Sequence, residues 1–213
     1  MTRKYYPVFL DIEGRPCTVI GGGAVGQRKV EGLLQAGARV RVVSPELTSE
    51  LERLASQGAV TAVRRPYERG DLAGAYLAMV ATDDPSVSEA VSQEAKERGA
   101  LVNVADVPRL CTFILPSVLQ RGGLTIAVAT GGGSPALSRK VREELERVFP
   151  PEYAELTSIV AEVRAELQER GVSLPFEIWS ECLDHELLSL VRQRGKAAAK
   201  ERLESQLLAR SPT

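Results

Sequence analysis

The sequence has a single histidine, His185, and only three isolated cysteines among its 213 residues. One histidine cannot supply a histidine-based triad or metal cluster, and the lack of a Cys-x-x-Cys pair argues against a zinc site. Three separated cysteines do not form a disulfide framework either. We therefore predict a protein without a metal site, located in the reducing cytoplasm.

Long apolar runs and an excess of charge of one sign are also missing. No apolar stretch approaches the ~20 residues of a membrane helix, and the basic N-terminus is not followed by the apolar segment of a secretory signal. The 27 basic and 28 acidic residues give a net charge of −1, so neither nucleic acid nor an anionic membrane is an expected partner. An apolar content of 44% predicts a globular protein with room for a buried core.

The most informative stretch is a glycine motif between an apolar run and a helical pattern. Gly21, Gly23 and Gly26 follow the apolar residues 17–20 with the spacing of the dinucleotide-binding fingerprint, and Gly22 lies within it. The first glycine permits a tight turn, the second lets the backbone approach a pyrophosphate, and the third lets the helix pack closely on the strand. The motif predicts a bound dinucleotide at a helix N-terminus. The alternative is a glycine-rich turn that binds nothing.

Strand and helix patterns alternate through the first half of the chain. We predict strands at 6–10, 17–20, 39–43, 60–63, 77–81 and 101–104, with helices that begin near residues 23, 48 and 85. The first strand is expected to form a hairpin with the second, and the alternation predicts a parallel sheet covered on both faces. Ligands bind beyond the carboxyl ends of such strands, which makes Thr82 and Asn103 candidate cofactor-binding residues.

The pattern changes after Pro108. Residues 113–115 and 124–129 are predicted to form two strands joined by Arg121-Gly122-Gly123, and the chain is helical from residue 152 onward. The predicted fold class is therefore α/β, with a Rossmann-type parallel sheet followed by a small α+β domain and an all-helical C-terminal domain. The predicted boundaries are 1–112, 113–150 and 151–213.

The position that binds the adenosine ribose leaves alternatives open. Asp or Glu is usual after the second strand, whereas this sequence has Ser44, Pro45 and Glu46. Either Glu46 or Ser44 binds the ribose, or Glu46 only opens the next helix. Arg39 and Arg41 lie nearby, so the residues alone do not exclude NADP.

Asp106 lies two residues beyond the last strand of the predicted sheet. A carboxylate at that place would face the nicotinamide end of the cleft, where it can act as a general base. The alternative is a turn-forming Asp shortly before Pro108.

A second glycine loop, 131–133, precedes Ser134 and Pro135, which suit the N-cap and first position of a helix. Arg139, Lys140 and Arg142 follow in the first turns of that helix, so the loop predicts an anion site. The alternative is a flexible loop beside a solvated basic face.

Six segments of the chain, taken in order, resemble the precorrin-2 dehydrogenase / sirohydrochlorin ferrochelatase family, the N-terminal module of siroheme synthase. They are Pro7-Val8-Phe9-Leu10, Val19-Ile20-Gly21-Gly22-Gly23, Ala81-Thr82-Asp83-Asp84, Asn103-Val104-Ala105-Asp106-Val107-Pro108, Phe113-Ile114-Leu115-Pro116-Ser117 and Gly131-Gly132-Gly133-Ser134-Pro135. The resemblance implies oxidation of precorrin-2 to sirohydrochlorin by NAD, with Fe(II) insertion in bifunctional members. It also implies a homodimer formed through the domain at 113–150.

The resemblance further implies roles for individual residues. The catalytic aspartate falls on Asp106, and the substrate-contacting serine falls on Ser134. The dinucleotide contacts fall on Ala24, Val25, Pro45 and Glu46. The carboxylates of precorrin-2 would then lie against the second glycine loop and Arg139, in one cavity with Asp106.

A different class of function is a dinucleotide-sensing regulatory module that dimerises through its tail and catalyses nothing.

Overall fold

In the computed structural model, which describes residues 4–210, the first half of the chain forms a five-stranded parallel sheet. The strands are β1 (Pro16–Ile20), β2 (Arg39–Val43), β3 (Val60–Val63), β4 (Leu77–Val80) and β5 (Leu101–Val104). The helices between them are α1 (Ala24–Gln35), α2 (Ser49–Ser56) and α3 (Pro85–Glu97). A 3-10 turn at Pro108–Leu110 follows β5. Apart from the N-terminal strand, the elements predicted for this half are confirmed.

The strand order is β3-β2-β1-β4-β5. Successive strands are added on one side of β1 up to β3 and on its other side from β4 onward, so the switch point lies between β1 and β4. Val30 and Leu33 of α1, together with Leu51 of α2, pack on one face of the sheet. Val91 and Ala95 of α3 pack on the other face. Right-handed crossovers that run in opposite directions from a switch point place their helices on opposite faces, and ligands bind at that point.

The second half of the chain forms a hairpin followed by helices. The hairpin consists of β6 (Ser117–Arg121) and β7 (Leu124–Val128), and the helices are α4 (Pro135–Val148), α5 (Tyr153–Glu169), α6 (Phe176–Cys182) and α7 (His185–Ala209). Gly195 interrupts α7 with a φ of 77° and a ψ of −177°. A separate apolar core joins α5, α6 and α7 through residues such as Ile159, Cys182 and Leu203.

The predicted strand at 6–10 is not formed, and neither is its hairpin with β1. Pro7 has no N–H to donate to a ladder, and the side chains of Tyr6 and Phe9 are 88% and 75% exposed. Without a buried face or a partner strand, the segment has nothing to hold it in a sheet.

The first strand of the predicted hairpin lies further along the chain than 113–115. The loop Gly122-Gly123 has only two residues, and Arg121 pairs with Leu124. A two-residue loop fixes the register, so β7 must pair with Ser117–Arg121. Residues 112 and 113 instead contact β5, where Thr112 N donates to Val102 O at 2.8 Å.

The described residues divide into two compact units between Leu115 and Pro116. The hairpin and all four later helices belong to the second unit. The three-domain division at 112/113 and 150/151 stays a prediction, and residues 1–3 and 211–213 of its outer domains lie outside the described part. No helix within 4–210 has both the length and the apolar character needed to cross a membrane.

Candidate functional site

The glycine turn between β1 and α1 is built by two close backbone contacts. Gly21 has a φ of +108°, and a Cβ atom on it would lie 2.1 Å from Ala81 O. A Cβ on Gly26 would lie 2.1 Å from Gly21 O, so this glycine lets α1 approach the turn. A Cβ on Gly23 would meet nothing within 4 Å. The two outer glycines therefore serve packing, and the middle one leaves an open face at the helix N-terminus, where Ala24 and Val25 are exposed.

The loop after β2 is attached to this turn. Thr48 N donates to Gly22 O at 3.0 Å, and Thr48 Oγ1 donates to Gln27 Oε1 at 2.8 Å. A Cβ on Gly22 would lie 2.2 Å from Glu46 O, so a side chain there would push the two loops apart. These contacts hold Ser44, Pro45 and Glu46 beside the open face of the turn.

Glu46 does not open the next helix, so that alternative is wrong. The helix begins at Ser49, and Thr48 is its N-cap, with Thr48 Oγ1 accepting from Leu51 N at 3.3 Å. Pro45 and Glu46 are exposed, whereas Ser44 is 8% exposed. Of the two ribose candidates, Glu46 is therefore the more accessible.

The arginines of β2 are engaged elsewhere. Arg41 Nη2 lies 3.2 Å from Asp71 Oδ1, and Asp71 is held below its ordinary pKa mainly by its hydrogen bonds from Arg65. Arg39 begins β2 and donates from Nε to Gly14 O at 2.8 Å. Four residues of strand span about 13 Å, so Arg39 lies far from the carboxyl end where a ribose phosphate would bind.

Two of the predicted cofactor-binding residues lie at or just beyond the carboxyl ends of β4 and β5. Thr82, after β4, accepts from Asp84 N at 3.3 Å through Oγ1, and Asp84 is the N-cap of α3. Asn103 lies in β5 and is only 7% exposed. Both belong to the carboxyl edge of the sheet, together with the glycine turn.

Asp106 has the only positive φ of any non-glycine residue within 4–210, at 58°. Cys111 anchors the loop around it, because Cys111 Sγ accepts from Val104 N at 3.2 Å and donates to Val107 O at 3.4 Å. The Asp106 side chain is exposed and forms no hydrogen bond or ion pair with the described residues. Asp tolerates this φ in a turn, so the backbone geometry fits a turn-forming residue, and the catalytic role of Asp106 stays a prediction.

Lys29 is a further candidate at this edge of the sheet and was not among the residues predicted from the sequence. Its Nζ donates to Asn103 Oδ1 at 3.1 Å, and burial lowers its pKa from the ordinary value of 10.5. The signal was available, because Lys29 is three residues after Gly26 and four before Leu33, both buried. A lysine on the buried side of an amphipathic helix is unusual enough to be examined.

The second glycine loop lies in the second unit. Ser134 is the N-cap of α4, and its Oγ accepts from Leu137 N at 3.2 Å, as the sequence predicts. Thr130 Oγ1 accepts from Ser134 N at 2.9 Å and donates to Ser134 O at 3.0 Å, which closes the loop. The cap uses the Ser134 hydroxyl oxygen as an acceptor, and its O–H donates to no described residue.

The cations that follow Ser134 are not free. Arg139 pairs with Glu143 at 2.9 Å and Lys140 with Glu144 at 3.4 Å, while Arg142 contacts Glu146. These pairs join side chains one helical turn apart, and exposed pairs of this kind contribute little free energy. An anion can compete for the cations, but the face has less positive charge than the sequence suggests. Substrate binding by Ser134 and Arg139 stays a prediction, as does a cavity shared with Asp106.

The chain can now be classified. Its parallel sheet, with a glycine turn at the switch point and an open helix N-terminus, defines a Rossmann-type dinucleotide-binding protein. Residues 8–117 match the family described as putative NAD(P)-binding, and residues 121–147 match the one described as sirohaem biosynthesis protein central. The chain therefore belongs to the putative NAD(P)-binding family, and the second match agrees with the resemblance to the family of siroheme biosynthesis.

Similar proteins support this family. The chain is 38% identical over 206 residues to a siroheme synthase of Nitrosococcus oceani, which covers 96% of the chain and 44% of that protein. It is 43% identical over 164 residues to a siroheme synthase of Methylobacillus flagellatus, covering 77% of the chain and 35% of that protein. The chain thus spans less than half the length of these relatives. A solved structure of SirC, a precorrin-2 dehydrogenase, is 26% identical, with a TM-score of 0.73 over 96% of this chain and all of SirC.

Proposed function

We propose that the protein oxidises precorrin-2 to sirohydrochlorin with NAD as the hydride acceptor. The observation that carries the proposal is the Asp106 carboxylate, which is exposed, has no hydrogen-bond or ion-pair partner among residues 4–210, and lies at the same sheet edge as the dinucleotide turn. The likeness to SirC over its whole length supports the same reaction, and the siroheme synthases support the same biosynthetic context.

The proposed mechanism divides the work between cofactor and protein. Bound NAD supplies the acceptor for the hydride that leaves a ring carbon of the macrocycle. The open helix N-terminus beside Gly23 binds the pyrophosphate, and Glu46 hydrogen-bonds the adenosine ribose. Asp106 accepts the proton released as the new double bond forms, so that one hydride and one proton leave precorrin-2.

The direct test is an anaerobic assay with purified protein, precorrin-2 and NAD, followed by the absorbance of NADH and of sirohydrochlorin. We expect both products to form in equal amounts. Tight binding of NADH without turnover of the tetrapyrrole would instead support the regulatory module.

We expect NAD to be preferred over NADP by at least about tenfold in kcat/KM, since one unfavourable charge contact is worth about 1–2 kcal/mol. Glu46 would repel a 2′-phosphate, and the nearby Arg41 and Arg65 are both bound to Asp71. Steady-state rates with each cofactor at several concentrations give this ratio. Equal values would mean that Arg41 or Arg65 leaves Asp71 for the phosphate.

Insertion of Fe(II) into sirohydrochlorin is a second activity that the resemblance implies, with iron as a substrate. Within 4–210 no group of three His, Cys, Asp or Glu side chains is placed to hold a metal ion, so iron insertion would depend on groups of the macrocycle and on Asp106. Anaerobic incubation of sirohydrochlorin with Fe(II) against a protein-free control decides this activity. A rate no higher than the control leaves the dehydrogenase alone.

A homodimer and a cytoplasmic location complete the proposal. The second unit exposes large apolar side chains, among them Val118 at 46%, Leu137 at 52% and Val148 at 61%. These side chains lie on β6 and α4, and we propose that a partner chain covers them in the dimer. Sedimentation equilibrium measures the oligomeric state. Cys17, Cys111 and Cys182 are buried, and the proposal places these thiols in a reducing compartment.

A further inference from the structure

Both polar atoms of the Asn103 side chain are hydrogen-bonded within the protein. Its Oδ1 accepts from Lys29 Nζ at 3.1 Å, and its Nδ2 donates to Phe113 O at 3.1 Å. A second contact of Nδ2 reaches Cys111 Sγ at 3.8 Å. With 7% of the residue exposed, the amide has little left to offer a cofactor.

The Lys29 ammonium group, in contrast, has hydrogen-bond donors that the described residues do not use. An ammonium group has three N–H donors, and among residues 4–210 Lys29 gives only one of them, to Asn103. It forms no salt bridge with a described residue. The side chain extends from α1, one turn after the glycine motif, to β5, so it lies along the carboxyl edge of the sheet. Two donors and a positive charge are therefore available at the edge where the ligand binds.

The position also brings Lys29 within the electrostatic influence of Asp106. Burial lowers the pKa of Lys29, while the nearby Cys111 and Asp106 raise it and Arg28 lowers it. The ammonium is thus partly desolvated and lacks a direct counter-charge. A partly buried cation gains most when a bound ligand supplies an oxygen acceptor.

We propose that the Lys29 ammonium binds an oxygen acceptor of the ligands in this cleft, and that Asn103 positions the ammonium rather than contacting the cofactor. The acceptor is the carboxamide oxygen of the nicotinamide or a carboxylate of the tetrapyrrole. The inference rests on the proposed function for the identity of these ligands. It makes Lys29 the residue that joins the dinucleotide turn to the Asp106 loop.

The test uses Lys29→Met in the full chain, with Lys96→Met as the matched control. Lys96 is an exposed lysine at the end of α3, so its substitution removes the same charge from the same unit. We would measure the Kd of NADH and the Kd of sirohydrochlorin separately by fluorescence, without turnover. Because a charged hydrogen bond is lost, one of the two constants should rise about 10- to 100-fold in Lys29→Met and neither in Lys96→Met.

The constant that rises identifies the source of the acceptor. A weaker NADH complex assigns it to the cofactor, and a weaker sirohydrochlorin complex assigns it to the tetrapyrrole. Unchanged values for both, in a variant that keeps the wild-type melting temperature, would overturn the proposal. If wild-type protein binds both ligands but does not oxidise precorrin-2, the proposed function fails and the role of Lys29 is still tested.

A pH titration separates binding from a structural role and also serves if Lys29→Met folds poorly. Lysine binds the acceptor only when protonated, so the affected Kd should rise as pH increases through a value below 10.5. Lys29→Arg keeps the charge at all of these pH values, so its Kd should not show this rise. The same pH dependence in Lys29→Arg and wild type would contradict a contact between Lys29 and ligand.

Discussion

Asp106→Asn is expected to lower kcat for precorrin-2 oxidation by about 10²- to 10⁴-fold, which is the usual contribution of a positioned general base. Asn keeps the size of the side chain and tolerates the φ of 58° that the loop imposes. The variant therefore removes the proton acceptor and leaves the backbone as it is. Asp106→Ala would lose activity too, but it would add strain at a positive φ and make the loss harder to interpret.

The measurement is the steady-state rate of precorrin-2 oxidation at saturating NAD and precorrin-2, together with the Kd of NADH. We expect the Kd to be unchanged, because Asp106 is not part of the glycine turn. Asp83→Asn is the matched control, since Asp83 is an exposed aspartate beyond the neighbouring strand β4. Wild-type kcat in Asp106→Asn would remove this residue from the mechanism.

Gly26→Ala is expected to destabilise the first unit although alanine is the better helix former. Alanine is favoured over glycine in a helix by about 1 kcal/mol. The new Cβ would lie 2.1 Å from Gly21 O, so α1 would have to move away from the turn. Overpacking of this kind costs about 1–3 kcal/mol, or more where backbone atoms collide. Gly21→Ala should have a larger effect, because it adds a clash with Ala81 O and a φ of +108°.

Thermal unfolding followed by circular dichroism measures the effect, and we expect a fall in melting temperature of about 10 °C or more for Gly21→Ala. Gly32→Ala is the control in the same helix, because its Cβ would meet nothing within 4 Å. It should stabilise the helix by about 0.5–1 kcal/mol. Equal melting temperatures for Gly26→Ala and Gly32→Ala would show that the close contact at Gly26 is not needed.

Gly23→Ala tests the binding side of the same motif. Its Cβ would enter open space, so the fold should persist. The methyl group would occupy the face that a pyrophosphate approaches, and the affinity for NADH should fall by about tenfold or more. Unchanged affinity would mean that the dinucleotide does not bind along this face.

Much of the fold could be predicted from the sequence, because hydrophobic periodicity and the positions of the glycines indicate strands, helices and turns from neighbouring residues. The buried run Leu77–Val80 and the helix caps Thr48, Asp84 and Ser134 were all available as local patterns. The strands predicted at 6–10 and 113–115 are not formed, and there is a physical reason for this. An apolar, β-favouring segment becomes a strand only if a partner ladder exists, and neither 6–10 nor 113–115 has one within the described residues.

In the candidate site, too, the sequence predicted some features correctly and others not. Asp106 and the glycine turn were identified from their order along the chain, whereas the charge of Arg139, Lys140 and Arg142 was overestimated. Glutamates one helical turn away offset this charge, and their i,i+4 spacing from the three cations is visible in the sequence. The helical pattern places Lys29 on the buried side of α1, but its hydrogen bond with Asn103, 74 residues away in the chain, is set by tertiary packing.

The sequence by itself determined the alternation of strands and helices, the dinucleotide turn and the family, since these depend on the spacing of neighbouring residues. Only the tertiary structure decided that Asn103 is hydrogen-bonded at both polar atoms. It also decided that, among residues 4–210, Lys29 uses one donor and Asp106 has no partner at its positive φ. The reason is that hydrogen bonds and burial at the sheet edge join residues from α1, β5 and the loop after it. Their distances are set by packing and are not encoded in any local pattern.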